Sequence, residues 1–265
     1  MFHVSVHGPV TRIRMARTFL GRPLYGVSAY AYGGLLIDSG PPPTDRQLVE
    51  WCRAHPEVRR VVLTHHHEDH VGGAAALREE LGLPVHAPAS AVPILAEGLR
   101  MPLYRRVIWS TPRRFRAEPL GDWIEGEGCR LWVIPTPGHA ATHVCLFDEE
   151  RRWLFSGDLY VHEKVRYLRR IEDAREHIAS LRRVLALEPE LLLCDHAGIL
   201  EHAPERLERK IRFWEDLAGK ARELRDQGCS VDDIALRLLG RDGFISWASF
   251  GDFSHRNLIE SLLAE

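Results

Sequence analysis

Short apolar runs and amphipathic stretches alternate over the first two thirds of the chain. Residues 28–40, SAYAYGGLLIDSG, predict two strands joined by a turn at Gly33 and Gly34. The apolar run at residues 61–63 predicts a strand that is buried on both faces. Residues 170–187, RIEDAREHIASLRRVLAL, predict a helix with one apolar face. Strands interleaved with helices predict an α/β (α+β) protein whose sheets are covered by helices.

The last quarter of the chain has a helical pattern. Residues 204–228 predict a long charged helix with an apolar stripe, and residues 230–240 and 254–265 predict two shorter helices. Ser230 is expected to cap the second of these, as Thr44 is expected to cap an earlier helix. Because neither a repeat nor a low-complexity linker precedes this segment, we expect a main domain at 1–203 and a helical extension at 204–265 packed on it.

Composition narrows the possible partners and the cellular compartment. The 265 residues include 35 basic and 37 acidic side chains, a net charge of -2, which argues against nucleic acid as a partner. The five cysteines are scattered and form no C-x-x-C motif, so we expect a reducing interior rather than a disulfide framework. We find neither a signal-peptide pattern at the N-terminus nor an apolar stretch of membrane-spanning length, so we expect a cytoplasmic protein without membrane contact.

Histidines are concentrated in one short segment, VVLTHHHEDHVGG, and the chain has 15 in all. At the end of an extended strand, His65 and His67 point to the same side because side chains alternate with period two. The following turn brings Asp69 and His70 to a neighbouring point. Nitrogen and oxygen donors of this kind suit Zn²⁺, so the segment predicts two adjacent metal positions. His66 is expected to face away, and Glu68 is expected to be solvated or to support a ligand.

Further donors follow apolar runs elsewhere in the chain. His139 comes after the run at residues 131–134, Asp158 after residues 153–155, and His196 after residues 191–194. Sheet proteins commonly build their sites where a strand ends. We therefore expect these three side chains to complete the coordination of two metal ions.

The ordered series His65-x-His67-x-Asp69-His70, His139, Asp158 and His196 resembles the motif set of the metallo-β-lactamase superfamily. The resemblance covers roughly residues 29–198 and is closest in outline to glyoxalase II-like hydrolases. It implies a four-layer αββα sandwich whose catalytic domain corresponds to residues 1–203. It also implies a set of metal ligands: His65, His67 and His139 for one ion, Asp69, His70 and His196 for the second, and Asp158 for both.

Asp38, in the stretch LLIDSG, matches another recurrent position of that family. At that position it would contact a metal ligand without binding the metal itself, and so orient an imidazole or a loop. The alternative is a turn-capping aspartate before Ser39 and Gly40. The sequence leaves both readings open.

The resemblance implies a metal-dependent hydrolase. Two divalent ions, Zn²⁺ in the first place with Mn²⁺ or iron also compatible, would turn a bridging water into hydroxide near neutral pH. Asp69 would orient that hydroxide or carry a proton. The expected substrate is a small-molecule thioester, ester or lactone. Two alternatives stay open: a phosphodiesterase or nuclease of the same superfamily, and a sulfur dioxygenase that uses a single iron.

Three features bear on the substrate. Tyr160 either binds the substrate or packs in the core. Arg113 and Arg114 belong to an arginine-rich stretch, residues 104–116, which is either a lid over an anionic substrate or a solvated loop. Four aromatic residues near the C-terminus are expected to pack the extension on the core, with a role in walling the pocket as the alternative: Phe244, Trp247, Phe250 and Phe253. Association into a homo-oligomer is left open.

Overall fold

The structure, a computed structural model, describes residues 1–264 and contains two large sheets and one short hairpin. The strands, in chain order, are β1 (Phe2–His7), β2 (Val10–Met15), β3 (Thr18–Phe19), β4 (Arg22–Pro23), β5 (Val27–Tyr32), β6 (Leu35–Ile37), β7 (Arg60–Val62), β8 (Val85–Ala87), β9 (Glu118–Pro119), β10 (Trp123–Gly126), β11 (Cys129–Pro135), β12 (Val144–Asp148), β13 (Trp153–Gly157), β14 (Leu191–Cys194) and β15 (Gly198–Glu201).

The first sheet has the order β1-β2-β5-β6-β7-β8-β9, and the second has the order β10-β11-β12-β13-β14-β15. The first sheet is antiparallel as far as β6 and parallel from β6 to β9. In the second, only the β13–β14 pairing is parallel within residues 1–264. The predicted pair of strands around Gly33 and Gly34 is confirmed as β5 and β6.

Helices cover the outer faces of the sheets. They are α1 (Asp45–Ala54), α2 (Glu68–Val71), α3 (Ala74–Leu81), α4 (Val92–Glu97), α5 (Leu103–Trp109), α6 (Ala174–Leu185), α7 (Ala203–Asp226), α8 (Val231–Leu239), α9 (Phe244–Ala248) and α10 (His255–Leu263). The helices predicted at residues 170–187, 204–228, 230–240 and 254–265 are confirmed as α6, α7, α8 and α10. None of the helices within residues 1–264 is both long enough and apolar enough to span a membrane.

The two predicted helix caps have different outcomes. The Ser230 hydroxyl accepts the backbone N–H of Asp233 at 3.1 Å and caps α8 as expected. Thr44 is the N-cap residue of α1, as predicted, but its side chain makes no capping hydrogen bond, because its hydroxyl donates to the Pro41 carbonyl. The predicted position of the cap is therefore confirmed without the side-chain bond.

Successive residues of the central strands pack into different hydrophobic cores, one on each face of the sheet. This shows the order of the layers. In β6, Leu36 packs with α1 and α3, whereas Leu35 and Ile37 pack between the two sheets. In β13, Leu154 packs with α6, α7 and α10, whereas Phe155 faces the other sheet. Side chains of a strand alternate between its faces, so strands buried on both sides need apolar residues throughout. The result is the four-layer αββα sandwich.

The C-terminal helices share a core with the second sheet. Leu207 and Trp214 of α7 belong to the same buried cluster as Leu192 of β14 and Leu181 of α6, and Leu258 of α10 also belongs to it. Residues 204–264 are therefore the outer layer of one half of the sandwich, and we retain the division at residue 203 as a proposal about the chain's organisation.

Candidate metal centre

The candidate ligands meet at one edge of the sandwich, between the two sheets. This edge collects the carboxyl ends of β6 and β7 from the first sheet, and of β11, β13 and β14 from the second. The side chains that follow these strands are Asp38, the segment 64–70, His139, Asp158, Asp195 and His196. They are buried or nearly so, with His139 15% exposed at its side chain.

One group of donors consists of His65, His67, His139 and Asp158. Nδ1 of His67 lies 2.8 Å from Nε2 of His65 and 2.9 Å from Nε2 of His139. Nε2 of His139 lies 3.2 Å from Oδ2 of Asp158. Donor atoms around a tetrahedral Zn²⁺ with bonds of about 2.0–2.1 Å lie about 3.3 Å apart. The four donors thus have the close mutual spacing that a single ion requires.

A second group consists of Asp69, His70 and His196. Oδ2 of Asp69 lies 3.7 Å from Nε2 of His70 and 3.6 Å from Nε2 of His196. The other carboxylate oxygen of Asp158, Oδ1, lies 3.3 Å from the same nitrogen of His70 and 3.2 Å from that of His196. The two oxygens of Asp158 therefore face different groups of donors.

Two atoms at this position lack the hydrogen bonds that buried polar atoms normally make. Within residues 1–264, Nε2 of His70 and Oδ1 of Asp158 have no hydrogen-bond partner although both are buried. Leaving such atoms unsatisfied destabilises a fold by about 1–3 kcal/mol each. A divalent cation held by Asp69, His70, His196 and Oδ1 of Asp158 would satisfy both atoms, since carboxylate oxygens and imidazole nitrogens are suitable ligands for it. The residues present fit a metal ion at this position.

A network behind the donors fixes their rings. Nδ1 of His70 lies 2.8 Å from Oδ2 of Asp38 and 3.0 Å from Oδ2 of Asp195. Asp38 also accepts the backbone N–H and the hydroxyl of Thr64, and that hydroxyl lies 2.9 Å from Nδ1 of His65. These contacts agree with Asp38 as an orienting residue rather than a turn cap.

A similar network holds His139. Its Nδ1 lies 3.1 Å from Oε1 of Glu172, which also accepts a hydrogen bond from Nε of Arg169 at 2.9 Å. Gly138, directly before it, has φ +126°, and a Cβ there would lie 2.4 Å from the backbone nitrogen of His177. Only glycine allows the loop to approach α6 so closely.

Burial and neighbouring charges set the protonation of the imidazoles. Burial, with repulsion from nearby imidazoles, lowers the pKa of His65 and His67 well below the usual range, so both are neutral, the form that binds metal. Burial also lowers the pKa of His139, but the carboxylates of Glu172 and Asp158 outweigh it and raise that pKa to about 9. Binding of a metal at His139 must therefore displace a proton.

The two side chains between the proposed ligands have separate partners. Nδ1 of His66 lies 2.7 Å from the Thr142 hydroxyl, so the ring faces away from the cluster as expected. Glu68 is buried and forms a bidentate ion pair with Arg105, at 2.5 and 2.9 Å. The expectation of a solvated Glu68 is wrong, because the arginine reaches it from α5.

A cavity of about 490 Å³ opens on the cluster and is lined by Asp69, His139, Asp158 and His196 among others. Arg113 and Arg114 are exposed and do not line it, and Arg113 pairs with Glu79 on the surface. Part of their stretch is helical, as α5.

The remaining aromatic candidates have three different surroundings: the core, the cavity and the solvent. Tyr160 is 2% exposed, packs in the core beside α7 and does not line the cavity. Phe244 and Phe253 do line it. Trp247 and Phe250 are 76% and 84% exposed, so the expectation that they pack in a core is wrong. They lie on or beside a short surface helix, α9, which presents them to solvent.

Sequence reasoning missed four residues of this site: Arg169, Glu172, Asp195 and His143. Asp195 directly precedes His196, and His143 ends the segment PTPGHAATH that contains His139, so both are adjacent to predicted ligands. Nε2 of His143 accepts the backbone N–H of Asp158 at 3.1 Å and so holds the strand end that carries it. Burial lowers the pKa of His143 to about 3, which keeps that nitrogen free to accept.

Comparison with known proteins identifies similar sequences. A family model described as the metallo-beta-lactamase superfamily matches residues 23–196. A hydroxyacylglutathione hydrolase from Pseudomonas aeruginosa is 31% identical over 208 residues, which cover 74% of this chain and 72% of that protein. A beta-lactamase-like protein 2 homolog from Caenorhabditis elegans is 25% identical over 198 residues and 71% of this chain. The match spans 61% of that nematode protein's length, less than two thirds.

Solved structures with a similar fold were also found. A metallo-beta-lactamase family protein from Thermus thermophilus has a TM-score of 0.68 and 21% identity, covering 98% of this chain and 92% of that one. A protein crystallised in a di-iron-bound form has a TM-score of 0.54 and 28% identity, covering 77% of this chain and 96% of that one. The first of these similarities bears on the fold alone.

Proposed function

Because this chain belongs to the metallo-β-lactamase superfamily, we propose that it is a metal-dependent hydrolase with a two-metal centre, acting on a small-molecule thioester, ester or lactone. The observation that carries the proposal is the position of Asp158, whose two oxygens face two separate groups of nitrogen and oxygen donors. Such an arrangement suits two ions held a few ångströms apart.

The proposed ligands divide between the two positions. His65, His67 and His139 would hold one ion and Asp69, His70 and His196 the other, with Asp158 shared. When bound, two divalent ions lower the pKa of a shared water and polarise the substrate's carbonyl oxygen. The protein's own part is to hold the donors rigid, through Asp38 behind His70 and Glu172 behind His139.

Asp69 is the residue we propose to move a proton. It is 5% exposed and lines the cavity, whereas Asp38 and Asp195 are closed off behind His70. A carboxylate within reach of the reacting group can orient the attacking water and accept its proton.

Zn²⁺ is the ion we propose first, because three imidazoles with carboxylate oxygen match its preferred ligands. The same donors accept Mn²⁺ and iron, and one relative with 28% identity was crystallised in a di-iron-bound form.

Two observations support the proposed substrate class: the names of similar proteins and the net charge of this chain. Several similar proteins are named hydroxyacylglutathione hydrolases, a name that describes a thioester substrate. A net charge of -2 supports a small molecule over a nucleic acid.

Metal removal tests the proposal. The purified protein should contain two metal ions per chain, lose thioester hydrolysis after exhaustive chelation, and recover it on addition of Zn²⁺ or Mn²⁺. His67→Ala should lose metal and activity, whereas His66→Ala, an adjacent and chemically identical change, should keep both because His66 faces Thr142. Hydrolysis that survives complete metal removal would show that the proposal is wrong.

A further inference from the structure

Beyond the metal cluster, apolar side chains from several segments line the cavity of about 490 Å³, and three of these segments lie near its opening. Tyr25 follows the β3–β4 hairpin, Ile108 and Trp109 belong to α5, and Phe244 and Phe253 come from the segment that contains α9. Tyr25 and Phe244 also reach solvent, at 49% and 78% exposure, so they mark the side on which the cavity opens.

Contacts between these segments show that they form one wall. The ring of Tyr25 packs edge-on against Trp109 at 5.8 Å and lies tilted against the imidazole of His196 at 4.8 Å. On the other side, Tyr104 of α5 packs against Phe253 at 6.4 Å and donates a hydrogen bond to Asp252. The apolar wall is therefore continuous from a proposed metal ligand to the opening.

Each arginine or lysine that lines the cavity within residues 1–264 already has a partner. Arg105 is held by the bidentate pair with Glu68, and Arg169 pairs with Glu172 at 2.9 Å. Lys210 donates to the backbone carbonyls of Leu159, at 2.9 Å, and Tyr160. A carboxylate or phosphate of a substrate against this wall would therefore lose its water without gaining a free arginine or lysine in return.

We propose that this cavity binds the acyl side of the substrate, and that the acyl group is uncharged and apolar, either a medium-length aliphatic chain or an aryl group. The volume fits roughly a dozen to sixteen non-hydrogen atoms, since one water-sized group takes up about 30 Å³. The other part of the substrate, the charged thiol or alcohol that leaves on hydrolysis, would remain outside the opening of the cavity. This inference rests on the proposed hydrolase function.

The reaction is an ordinary hydrolysis. Water adds to the acyl carbon, the C–S or C–O bond breaks, and the thiol or alcohol leaves with one proton while the acyl group becomes a carboxylic acid. Because burial of the apolar chain contributes binding energy, kcat/KM should rise about three- to fourfold for each buried methylene group of the substrate.

A series of acyl thioesters from acetyl to decanoyl, with one common thiol, tests the inference on the metal-loaded protein. The expected result is a rise in kcat/KM of about threefold per methylene until the cavity is full. Rates that do not depend on chain length, or that are highest for a short polar acyl group such as lactoyl, would overturn it.

Two neighbouring residues of α5 provide a matched pair of variants. Ile108 lines the cavity, whereas Val107 is 61% exposed and does not line it. Ile108→Asp should lower the ratio of kcat/KM for the octanoyl thioester to kcat/KM for the acetyl thioester at least about tenfold, because a carboxylate in the apolar wall disfavours binding of the longer chain. Val107→Asp should leave both unchanged. Equal losses on both substrates in Ile108→Asp, or none, would contradict the assignment.

Binding of 1-octanol, measured by titration calorimetry on the as-purified protein, gives a readout that does not need catalysis. We expect binding with a negative heat-capacity change, tighter than for 1-butanol, weakened by Ile108→Asp and unaffected by Val107→Asp. If the fully metal-loaded protein hydrolyses no thioester, ester or lactone, the proposed function fails. If thioesters are hydrolysed but octanol binds no more tightly than butanol, the present inference alone fails.

Discussion

The carboxyl groups of Asp38 and Asp195 both approach Nδ1 of His70. Their different surroundings shift their pKa values in opposite directions. Burial raises the pKa of Asp38, but the imidazole of His70 and the hydrogen bonds from it and from Thr64 outweigh burial and lower it. Burial, with repulsion from Asp38, raises the pKa of Asp195 well above its usual range. We therefore expect Asp38 to be the charged member of the pair.

Substituting each of these residues by asparagine should give different results. Asp38→Asn removes the negative charge that orients His70 and should weaken metal binding by about 10- to 100-fold. Asp195→Asn replaces a neutral acid with a neutral amide of similar shape and should change metal affinity by less than about threefold. Competition with a chromophoric chelator measures both affinities. Equal losses in the two variants would show that the charge is not concentrated on Asp38.

The proposed ligands could be predicted from the sequence because each is a polar residue within a few positions of the end of an apolar run. The alternation argument for His65 and His67 is wrong, since β7 ends at Val62 and both residues lie beyond it, although their ring nitrogens lie 2.8 Å apart. The roles of Glu172 and Arg169 could not be predicted, because both residues reach the site from a loop whose sequence contains no motif that points to a site. Their role depends on where the segment before α6 is placed in three dimensions.

At the scale of elements, α7 contributes a buried lysine to the region behind the site. Lys210 is 1% exposed and donates to two backbone carbonyls in the loop after β13, the loop that begins with Asp158. Burial lowers the pKa of Lys210 to about 7, against 10.5 for an ordinary lysine. The unfolded chain therefore binds more protons than the folded protein between these two values.

This difference makes stability depend on pH. Stability from Lys210 should be fully present above pH 10.5 and decline by about 1.4 kcal/mol per unit as the pH falls towards 7, with no further change below. Denaturant unfolding of the wild type and of Lys210→Met, with chelator present, measures it. The free energy of unfolding of the wild type should rise relative to the variant between pH 7 and 10.5. A difference that is constant with pH would show that Lys210 is not desolvated as described.

Long elements were predictable and short ones were not. Helices α6 and α7 span 12 and 24 residues, enough turns for an apolar stripe to be visible. Helices α2 and α5 span four and seven residues, too few for a periodic signal, and α5 lies inside the stretch that was expected to be a loop. The aromatic residues of α9 were expected to be buried because aromatic residues usually are, but their helix lies at the surface.

At the scale of the whole molecule, the helical extension and the second sheet depend on each other. Leu154 and Leu192 are fully buried beneath helices α6, α7 and α10. A chain ending at residue 203 would expose this face of the sheet, so we expect it to be insoluble or to bind a dye for exposed apolar surface. The full chain should unfold in one transition, seen alike by circular dichroism and tryptophan fluorescence. Two separate transitions would indicate that residues 204–265 fold independently.

The five cysteines are all free, and four of them are buried. The reducing compartment and the cytoplasmic location both stay predictions, which cell fractionation can check. Association into a homo-oligomer likewise stays a prediction, which a measurement of mass in solution can check.

The central claim is that seven side chains converge on two metal ions that share Asp158. Anomalous diffraction from crystals of the metal-loaded protein, recorded at the absorption edge of the bound metal, tests it most directly. We predict two peaks, one among His65, His67 and His139 and one among Asp69, His70 and His196, each within bonding distance of a different oxygen of Asp158. A single peak, or peaks away from these residues, would contradict the account.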